Sequence, residues 1–136
     1  MYPGHRRETL TRAFEYNADC PTLLVLDRIA NKWAVLAIAA LYREPRRFNQ
    51  LRREIGSISQ KMLSQTLKGL ERDGIISRQA FATVPVTVEY SMTDLGRTLA
   101  ETVDQLRIWS EKNIDTVLDA QTNYDSAQSQ YAEIRR

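Results

Sequence analysis

Residues 48–74 read FNQLRREIGSISQKMLSQTLKGLERDG, and this stretch decides the fold of the chain. Three leucines in its second half are spaced at i, i+4 and i+7: Leu63, Leu67 and Leu70. This spacing predicts a helix that buries one face in the core and leaves the other in solvent. Ser59 is a good N-cap for this helix, and Gly74 can end it in the left-handed conformation.

A shorter helix is predicted immediately before it, with Asn49 as its N-cap. Arg52 and Arg53 point away from the core. Because a turn at 56–58 joins the two helices, the stretch predicts a helix-turn-helix. The core-facing side chains of the shorter helix are Phe48, Leu51 and Ile55.

Two further helices are predicted upstream. Pro21 suits the first position of one helix, because its missing N–H would have no intrahelical partner there. The next helix begins near Trp33 and ends before Pro45. Residues 1–19 are polar and mixed, and we interpret them as an N-terminal arm. The expected buried stripe of the second helix is Trp33, Leu36, Ala37, Ala40 and Leu41.

Downstream of Gly74 the apolar period changes from 3.6 to 2, which predicts two strands joined by a hairpin. The first strand covers residues 75–81, and Pro85 marks the hairpin tip or an edge strand. Thr93 is the expected N-cap of a last, long helix. The second strand carries its apolar side chains at Val84, Val86, Val88 and Tyr90.

This order of elements is that of a winged helix-turn-helix. The fold class is mainly α (α+β), with a two-stranded wing and a long C-terminal dimerisation helix. We divide the chain into an N-terminal arm (1–19), a winged domain (20–92), the C-terminal helix (93–120) and a polar tail (121–136) that we expect to fray.

The composition is that of one globular domain, with 136 residues, 43% of them apolar and 26% charged. No apolar run approaches the roughly 20 residues that span a bilayer, and the first residues do not resemble a signal peptide. We therefore expect a soluble cytoplasmic protein. The single cysteine excludes an intramolecular disulfide and argues against a zinc site, and no cofactor is expected.

No catalytic pattern stands out in the sequence. The one histidine, His5, lies in the arm, and Cys20 has no histidine or asparagine partner in a recognisable arrangement. A Gly-rich phosphate loop and a paired-carboxylate motif are both missing. We therefore expect no enzymatic activity.

The net charge is only +2, but the cations are concentrated in the middle of the chain. Between residues 46 and 78, eight lysines and arginines stand against three acids, and eight minus three gives +5. The last 26 residues hold three cations and five acids, which gives −2. A basic middle favours a nucleic acid as the partner.

The exposed face of the helix over 59–73 carries hydroxyl, amide and lysine side chains, which can hydrogen-bond base edges in a major groove. The positive end of the helix dipole lies at the N-terminal end of the same face. The residues expected to contact bases or nearby phosphates begin at the cap and are Ser59, Gln60, Lys61, Ser64 and Gln65. The residues expected to anchor the DNA backbone are Arg47, Arg52, Arg53 and Lys68, with Arg78 of the first strand beside them.

Several short motifs in the chain resemble those of the HxlR-type family of winged-helix transcription regulators. They are Cys20-Pro21, Asn31-Lys32-Trp33, RFNQLRR at 47–53, ISQKMLSQ at 58–65, LERDG at 70–74, VEYSMT at 88–93 and Leu95-Gly96. The resemblance covers residues 20 to about 109. It implies a dimeric, bacterial, DNA-binding protein whose fourth helix reads the major groove and whose hairpin touches the adjacent backbone or minor groove.

The wing departs from this family pattern. Thr87 stands where an arginine is common, and no cation occurs from Ala80 to Tyr90. Ala30-Asn31 replaces a frequent glycine pair, which should matter little. We therefore expect the wing to contribute less to DNA contact than the family pattern implies.

The last helix is the expected dimer element, because its apolar stripe is longer than a small domain can cover. Two half-sites about one helical turn apart would also give a dimer its specificity. The residues expected at the interface are Phe14, Tyr16, Leu23, Leu99, Val103, Leu106, Trp109, Ile114 and Val117.

Cys20 is the candidate redox switch. It lies at a helix N-terminus, where the dipole lowers the pKa of a thiol, although Asp19 acts in the opposite direction. Some members of the resembling family sense oxidants or electrophiles through a cysteine in this region, so a small oxidant or electrophile is a candidate effector. The alternative is a small residue that only caps a helix.

A winged-helix module that binds protein rather than DNA is the alternative function. The salt dependence of binding distinguishes the two, because each phosphate contact steepens the loss of DNA affinity with salt.

Overall fold

A computed structural model describes residues 20–135 and contains five helices and three strands in that range. The helices are α1 (Pro21–Ile29), α2 (Lys32–Arg43), α3 (Phe48–Ile55), α4 (Gln60–Arg72) and α5 (Asp94–Ile134). The strands are β1 (Arg46–Arg47), β2 (Ile76–Phe81) and β3 (Thr87–Met92). The winged helix-turn-helix class is confirmed.

The core lies where α2, α3 and α4 meet the sheet. The three leucines that decide the fold are all fully buried, and Leu51 of α3 joins them. From α2 the buried side chains are Ala34, Ala37, Ile38 and Leu41. Leu36 is exposed, so its predicted burial is wrong, because the buried stripe of α2 runs through positions 34, 37, 38 and 41 instead.

Helix α3 begins two residues earlier than predicted. Its N-cap is Arg47, whose backbone N–H donates to the side-chain oxygen of Gln50 at 2.9 Å. Asn49 is therefore inside the helix and is not its cap. The turn that follows needs a glycine, since Gly56 has φ +96°.

The sheet has a third strand that the sequence pattern does not reveal. Antiparallel β1 pairs with β3, and β3 pairs with β2, which gives the order β1–β3–β2. Arg46 of β1 is buried, and its guanidinium bonds Glu54 at 2.8 Å and Glu44 at 2.6 Å. One cation of the basic stretch thus holds β1 against α3.

The hairpin loop between β2 and β3 is longer than predicted and covers residues 82–86. The Thr83 hydroxyl lies 2.8 Å from both the carbonyl oxygen of Pro85 and the hydroxyl of Thr87. These bonds close the loop locally, and Pro85 has no N–H for a ladder bond. Val84 and Val86 therefore belong to the exposed loop and not to the second strand.

Helix α5 is anchored at its first turn. Thr93 is its N-cap, and the Thr93 hydroxyl oxygen accepts a hydrogen bond from the Gly96 N–H at 3.0 Å. The same hydroxyl donates towards the carbonyl oxygens of Gly74 at 2.6 Å and Ile75 at 2.9 Å. Gly96 packs directly on the backbone of Ile75. This contact fixes the direction in which α5 leaves the domain.

The expected fraying of the tail is wrong for residues 121–134, which continue α5 without a break. The helix has 41 residues and is about 60 Å long. From Asp104 to Arg135 none of its residues is buried. Across the described residues, no helix combines the length and apolar character that a bilayer span requires.

Candidate nucleic-acid interface

The buried leucines orient α4 so that its polar face lies in solvent. Ser59 accepts a hydrogen bond from the Met62 N–H at 3.1 Å and so fixes the first turn. Gln60, Lys61 and Gln65 are exposed on this face, whereas Ser64 is half-buried. Ser59 and Lys68 are exposed as well, so α4 presents all six of its predicted residues outside the core.

An open groove of about 530 Å³ lies beside the start of α4. It is lined by Gln60, Lys61 and Ser64 of α4, by Phe48 and by Tyr90. Phe48 is the first residue of α3 and Gln60 is the first residue of α4, so two helix N-termini meet at this groove. The positive ends of both dipoles, together with the Lys61 ammonium, favour an anion there.

The register of the sheet brings Arg78 to the same region. Arg78 and Arg46 are both paired with Tyr90, one from each side of β3. Directly opposed residues of antiparallel strands project to the same face. Tyr90 lines the groove, and the exposed Arg78 and the buried Arg46 flank Tyr90 on the two neighbouring strands.

The other predicted arginines lie on or next to α3. Arg47, Arg52 and Arg53 are all exposed. The Arg52 Nε lies 3.4 Å from the carbonyl oxygen of Ile58, so this side chain also closes over the turn of the helix-turn-helix. Arg47 and Arg53 extend the basic surface along α3.

Two internal ion pairs determine which charges the basic stretch offers to a partner. Arg46 pairs with Glu54, and Asp73 pairs with Arg28 of α1. Within residues 46–78, Glu71 is then the one acid outside these pairs. Seven cations of this stretch form no ion pair with another residue of 20–135: Arg47, Arg52, Arg53, Lys61, Lys68, Arg72 and Arg78.

Sequence reasoning missed the two aromatic rings of the groove. The sequence pattern predicts Phe48 in the core and Tyr90 in a strand. Both are half-buried, and each contacts the core on one side and the groove on the other. The alternation of β3 gave the only sign, because it places Tyr90 on the side of the sheet that faces the helices. The arrangement can bind an anionic, hydrogen-bonding ligand against an apolar floor.

The residues predicted for the dimer interface lie on α1 and α5, away from the groove. Phe14 and Tyr16 lie outside the described residues. Leu23, Leu99, Val103 and Val117 are half-buried, whereas Leu106, Trp109 and Ile114 are exposed. The described part of the chain thus has a large apolar surface on its last helix.

Cys20 is the N-cap of α1 and is partly exposed. The hydroxyl of Thr22, and after it the backbone N–H of the same residue, hold the pKa of the Cys20 thiol below its ordinary value. The dipole of α1 acts in the same direction. Residues 20–135 contain no other cysteine.

Comparison with known proteins identifies similar chains. The family described as HxlR-like helix-turn-helix matches residues 28–117. The HTH-type transcriptional regulator YtfH of Escherichia coli (strain K12) is 46% identical over 99 residues, which cover 73% of this chain and 79% of the relative.

Two solved structures are also similar. One is the redox regulator HypR in its reduced form, with a TM-score of 0.68 and 41% identity over 72% of this chain and 97% of that chain. The other is the reduced form of the transcriptional regulator YodB from B. subtilis, with a TM-score of 0.63 and 33% identity over 68% of this chain and 92% of that chain.

Proposed function

Because the chain belongs to the HxlR-like helix-turn-helix family of transcriptional regulators, we propose that it binds specific double-stranded DNA sequences as a homodimer. One observation carries the proposal: α4 buries its leucines and leaves a solvent face of amide, hydroxyl and lysine groups without an acid before Glu71. A helix with such a face fits the major groove.

Base reading is assigned to the first two turns of α4. Gln60 and Gln65 can each bond an adenine edge with both amide atoms, and Lys61 can donate to guanine or to a phosphate. Ser64 is half-buried at the edge of the groove, which suits a contact with a nearby phosphate or sugar.

Backbone anchoring is assigned to the surrounding cations. Lys68 lies farther along the exposed face of α4, Arg47, Arg52 and Arg53 lie along α3, and Arg78 stands beside Tyr90. These charges flank the base-reading residues, as required to hold α4 in one register on the duplex. Without a cation from Ala80 to Tyr90, the hairpin loop of the wing contributes little to the electrostatic part of binding.

The homodimer is assigned to α1 and α5, whose apolar side chains are exposed in the single chain. A two-fold interface uses the same patch on both copies, which these helices provide. Light scattering is expected to give about twice the 15.7 kDa mass of one chain. A stable monomer at micromolar concentration would contradict the dimer.

Two single substitutions on α4 test the DNA assignment, after the preferred DNA has been selected from a random pool. Lys68→Ala weakens binding to all sequences and reduces the slope of log affinity against log salt by about 0.9 for each copy that contacts DNA. Gln65→Ala costs about 1–3 kcal/mol at one base position and leaves the other positions unaffected.

Matched controls for these changes lie on α5. Lys112→Ala and Gln105→Ala remove the same side chains from exposed positions of another helix, and both variants should bind DNA as the unaltered protein does. If neither α4 substitution changes the affinity for any DNA, the proposed DNA contact of α4 is wrong. That result would favour the alternative, a winged-helix module that binds protein.

A redox role for Cys20 is the second part of the proposal. The partly exposed thiol with its lowered pKa supports it, as does the likeness to the redox regulator HypR. An oxidant or a quinone weakens DNA binding of the unaltered protein and leaves a Cys20→Ser variant unaffected. With one cysteine in the chain, a disulfide must cross the dimer or involve a small thiol. Equal responses of the two proteins would remove this role.

A further inference from the structure

Helix α5 continues beyond the part of the chain that matches the family. The family match ends at residue 117, whereas α5 continues to Ile134. Leu118 and Ala132 lie on the outer side, and the other six apolar residues from 117 to 134 follow a heptad spacing of alternate three- and four-residue steps: Val117, Ala120, Tyr124, Ala127, Tyr131 and Ile134. We refer to these six residues as the extension stripe.

The charges of the same segment avoid the stripe. Between residues 111 and 134 all charged side chains occupy heptad positions b, c and f, on the side of the helix away from the stripe: Glu111, Lys112, Asp115, Asp119, Asp125 and Glu133. The flanking e and g positions from 114 to 130 are uncharged. A face of this kind is suited to packing against another helix and not to solvent.

The acidic outer side of the segment limits what can cover the stripe. A helix that binds a membrane surface carries lysine and arginine on its polar side, whereas this one has five acids and one lysine from 111 to 134. The same charges repel a nucleic acid. The uncharged flanks allow identical helices to approach without like-charge repulsion, which favours a second copy of the chain.

A matching apolar groove of about 450 Å³ lies between α1 and the start of α5. Leu24, Val25, Ile75, Leu95 and Leu99 supply its apolar lining. Leu24 and Leu95 are 74% and 57% exposed, so nothing within residues 20–135 covers this groove in the single chain. We refer to it as the α1/α5 groove.

We propose that the extension stripe of each copy lies along the partner's α5, in the antiparallel direction, and covers the partner's α1/α5 groove. This inference rests on the proposed homodimer and adds a segment that lies beyond the family match. A two-fold axis near residues 111–112 places Leu106 opposite the partner's Val117 and Val103 opposite the partner's Ala120. It places Leu99 opposite the partner's Tyr124, at the groove.

The polar residues of the same heptad register fit this axis. Ser110 and Asn113 occupy its a and d positions, and each would lie opposite the other residue of the partner. Both already bond their own helix: the Ser110 hydroxyl donates to the Leu106 carbonyl and the Asn113 amide to the Trp109 carbonyl, each at 2.8 Å. Their burial therefore leaves few unpaired polar groups. A parallel pair would instead leave the α1/α5 groove open.

Paired charge insertions test whether the stripe is covered. Ala120→Glu with Ala127→Glu places two charges on the stripe, and Thr122→Glu with Ser129→Glu places two on the outer side of the same helix. Sedimentation equilibrium of the full chain should show dimerisation weakened about tenfold or more by the first pair and little changed by the second. Circular dichroism verifies that both variants remain helical.

Cysteine cross-linking in a Cys20→Ser background tests the direction. Val103→Cys together with Ala120→Cys is expected to give a disulfide-linked dimer on oxidation, whereas Ala120→Cys alone is not, because the two copies of residue 120 lie about 25 Å apart along the antiparallel pair. Efficient cross-linking by Ala120→Cys alone overturns the antiparallel arrangement.

The outcomes separate this inference from the proposed function. If both glutamate pairs leave the dimer as stable as the unaltered protein, the extension is not part of the interface and the inference fails, while the homodimer stands. If the unaltered protein is a monomer, the homodimer itself fails. The effects of Lys68→Ala and Gln65→Ala on DNA binding do not depend on either result.

Discussion

At the scale of single residues, contacts between distant parts of the chain determine which residue a position requires, and the sequence alone does not reveal these contacts. A Cβ atom at Gly96 would collide with the carbonyl oxygen of Ile75 and meet the Met92 sulfur at 2.5 Å. Arg46 shows the opposite case, since a cation in a basic run is buried because Glu54 and Glu44 surround its guanidinium. The requirement for glycine at 96 and the burial of Arg46 both follow from tertiary packing, which cannot be predicted from the pattern of residues along the chain.

Gly96→Ala should destabilise the protein. The added methyl group must displace backbone, which costs about 1–3 kcal/mol in the free energy of unfolding measured with urea. Gly69→Ala is the matched control, because its Cβ would meet only the flexible end of Arg28. Alanine is also the better helix former there by about 1 kcal/mol, so this variant stays close to the unaltered protein. Equal losses in both would contradict the contact at Gly96.

The reactivity of Cys20 should depend on Thr22. The hydroxyl of Thr22 is the largest cause of the lowered pKa of the Cys20 thiol, so Thr22→Ala raises that pKa. The rate of alkylation by iodoacetamide, followed against pH, then reaches its midpoint at a higher pH, because less thiolate is present at neutral pH. Thr22→Ser retains a hydroxyl and keeps the midpoint. An unmoved midpoint in Thr22→Ala rejects this cause.

At the scale of elements, strong periodicity made the helix-turn-helix predictable. Leu63, Leu67 and Leu70 determine the buried side of α4, and its exposed side follows from the same spacing. Two-residue β1 is too short to show any period. The polar tail was expected to fray because of its average polarity, yet the stripe that includes Tyr124 and Tyr131 was already present in its sequence.

The candidate site was predictable to the same extent. The polar side chains of α4 could be named because they are the residues that the leucine spacing leaves outside. Phe48 and Tyr90 come from other elements, and only the packing of α3 and β3 beside α4 brings their rings to the groove. Local pattern therefore predicts a face, and tertiary structure completes the groove.

Ser59 is expected to have two roles, since it caps α4 and also lies on the proposed DNA-binding face. Ser59→Asp keeps an N-cap acceptor and a favourable charge at the helix dipole, so the urea midpoint stays near that of the unaltered protein. The same carboxylate stands on the proposed DNA face and should weaken binding more than tenfold, as roughly expected for like charges in contact. Ser59→Asn caps the helix without the charge and should retain binding. Undiminished DNA affinity in Ser59→Asp would place the cap away from the duplex.

At the scale of the whole molecule, the basic groove and the apolar surface lie in different parts of the structure. The basic groove lies at the junction of α3, α4 and β3, and most of the exposed large apolar residues lie on α1 and α5. A two-fold assembly through α1 and α5 would leave α4 of both copies free for two half-sites. Because the two surfaces are separate, we expect a substitution in one to leave the other intact.

The most direct test of the account is the DNA affinity of Gln65→Glu, measured by fluorescence anisotropy on the selected sequence. The substitution keeps the size of an exposed side chain and adds one negative charge to the middle of the proposed reading face. We expect affinity to fall more than tenfold, roughly the effect of a like charge in a contact with phosphate-lined DNA, with an unchanged melting temperature. Gln105→Glu, at an exposed position on the outer side of α5, should bind normally. If Gln65→Glu binds this DNA as tightly as the unaltered protein does, the central claim that the exposed face of α4 contacts the duplex is contradicted.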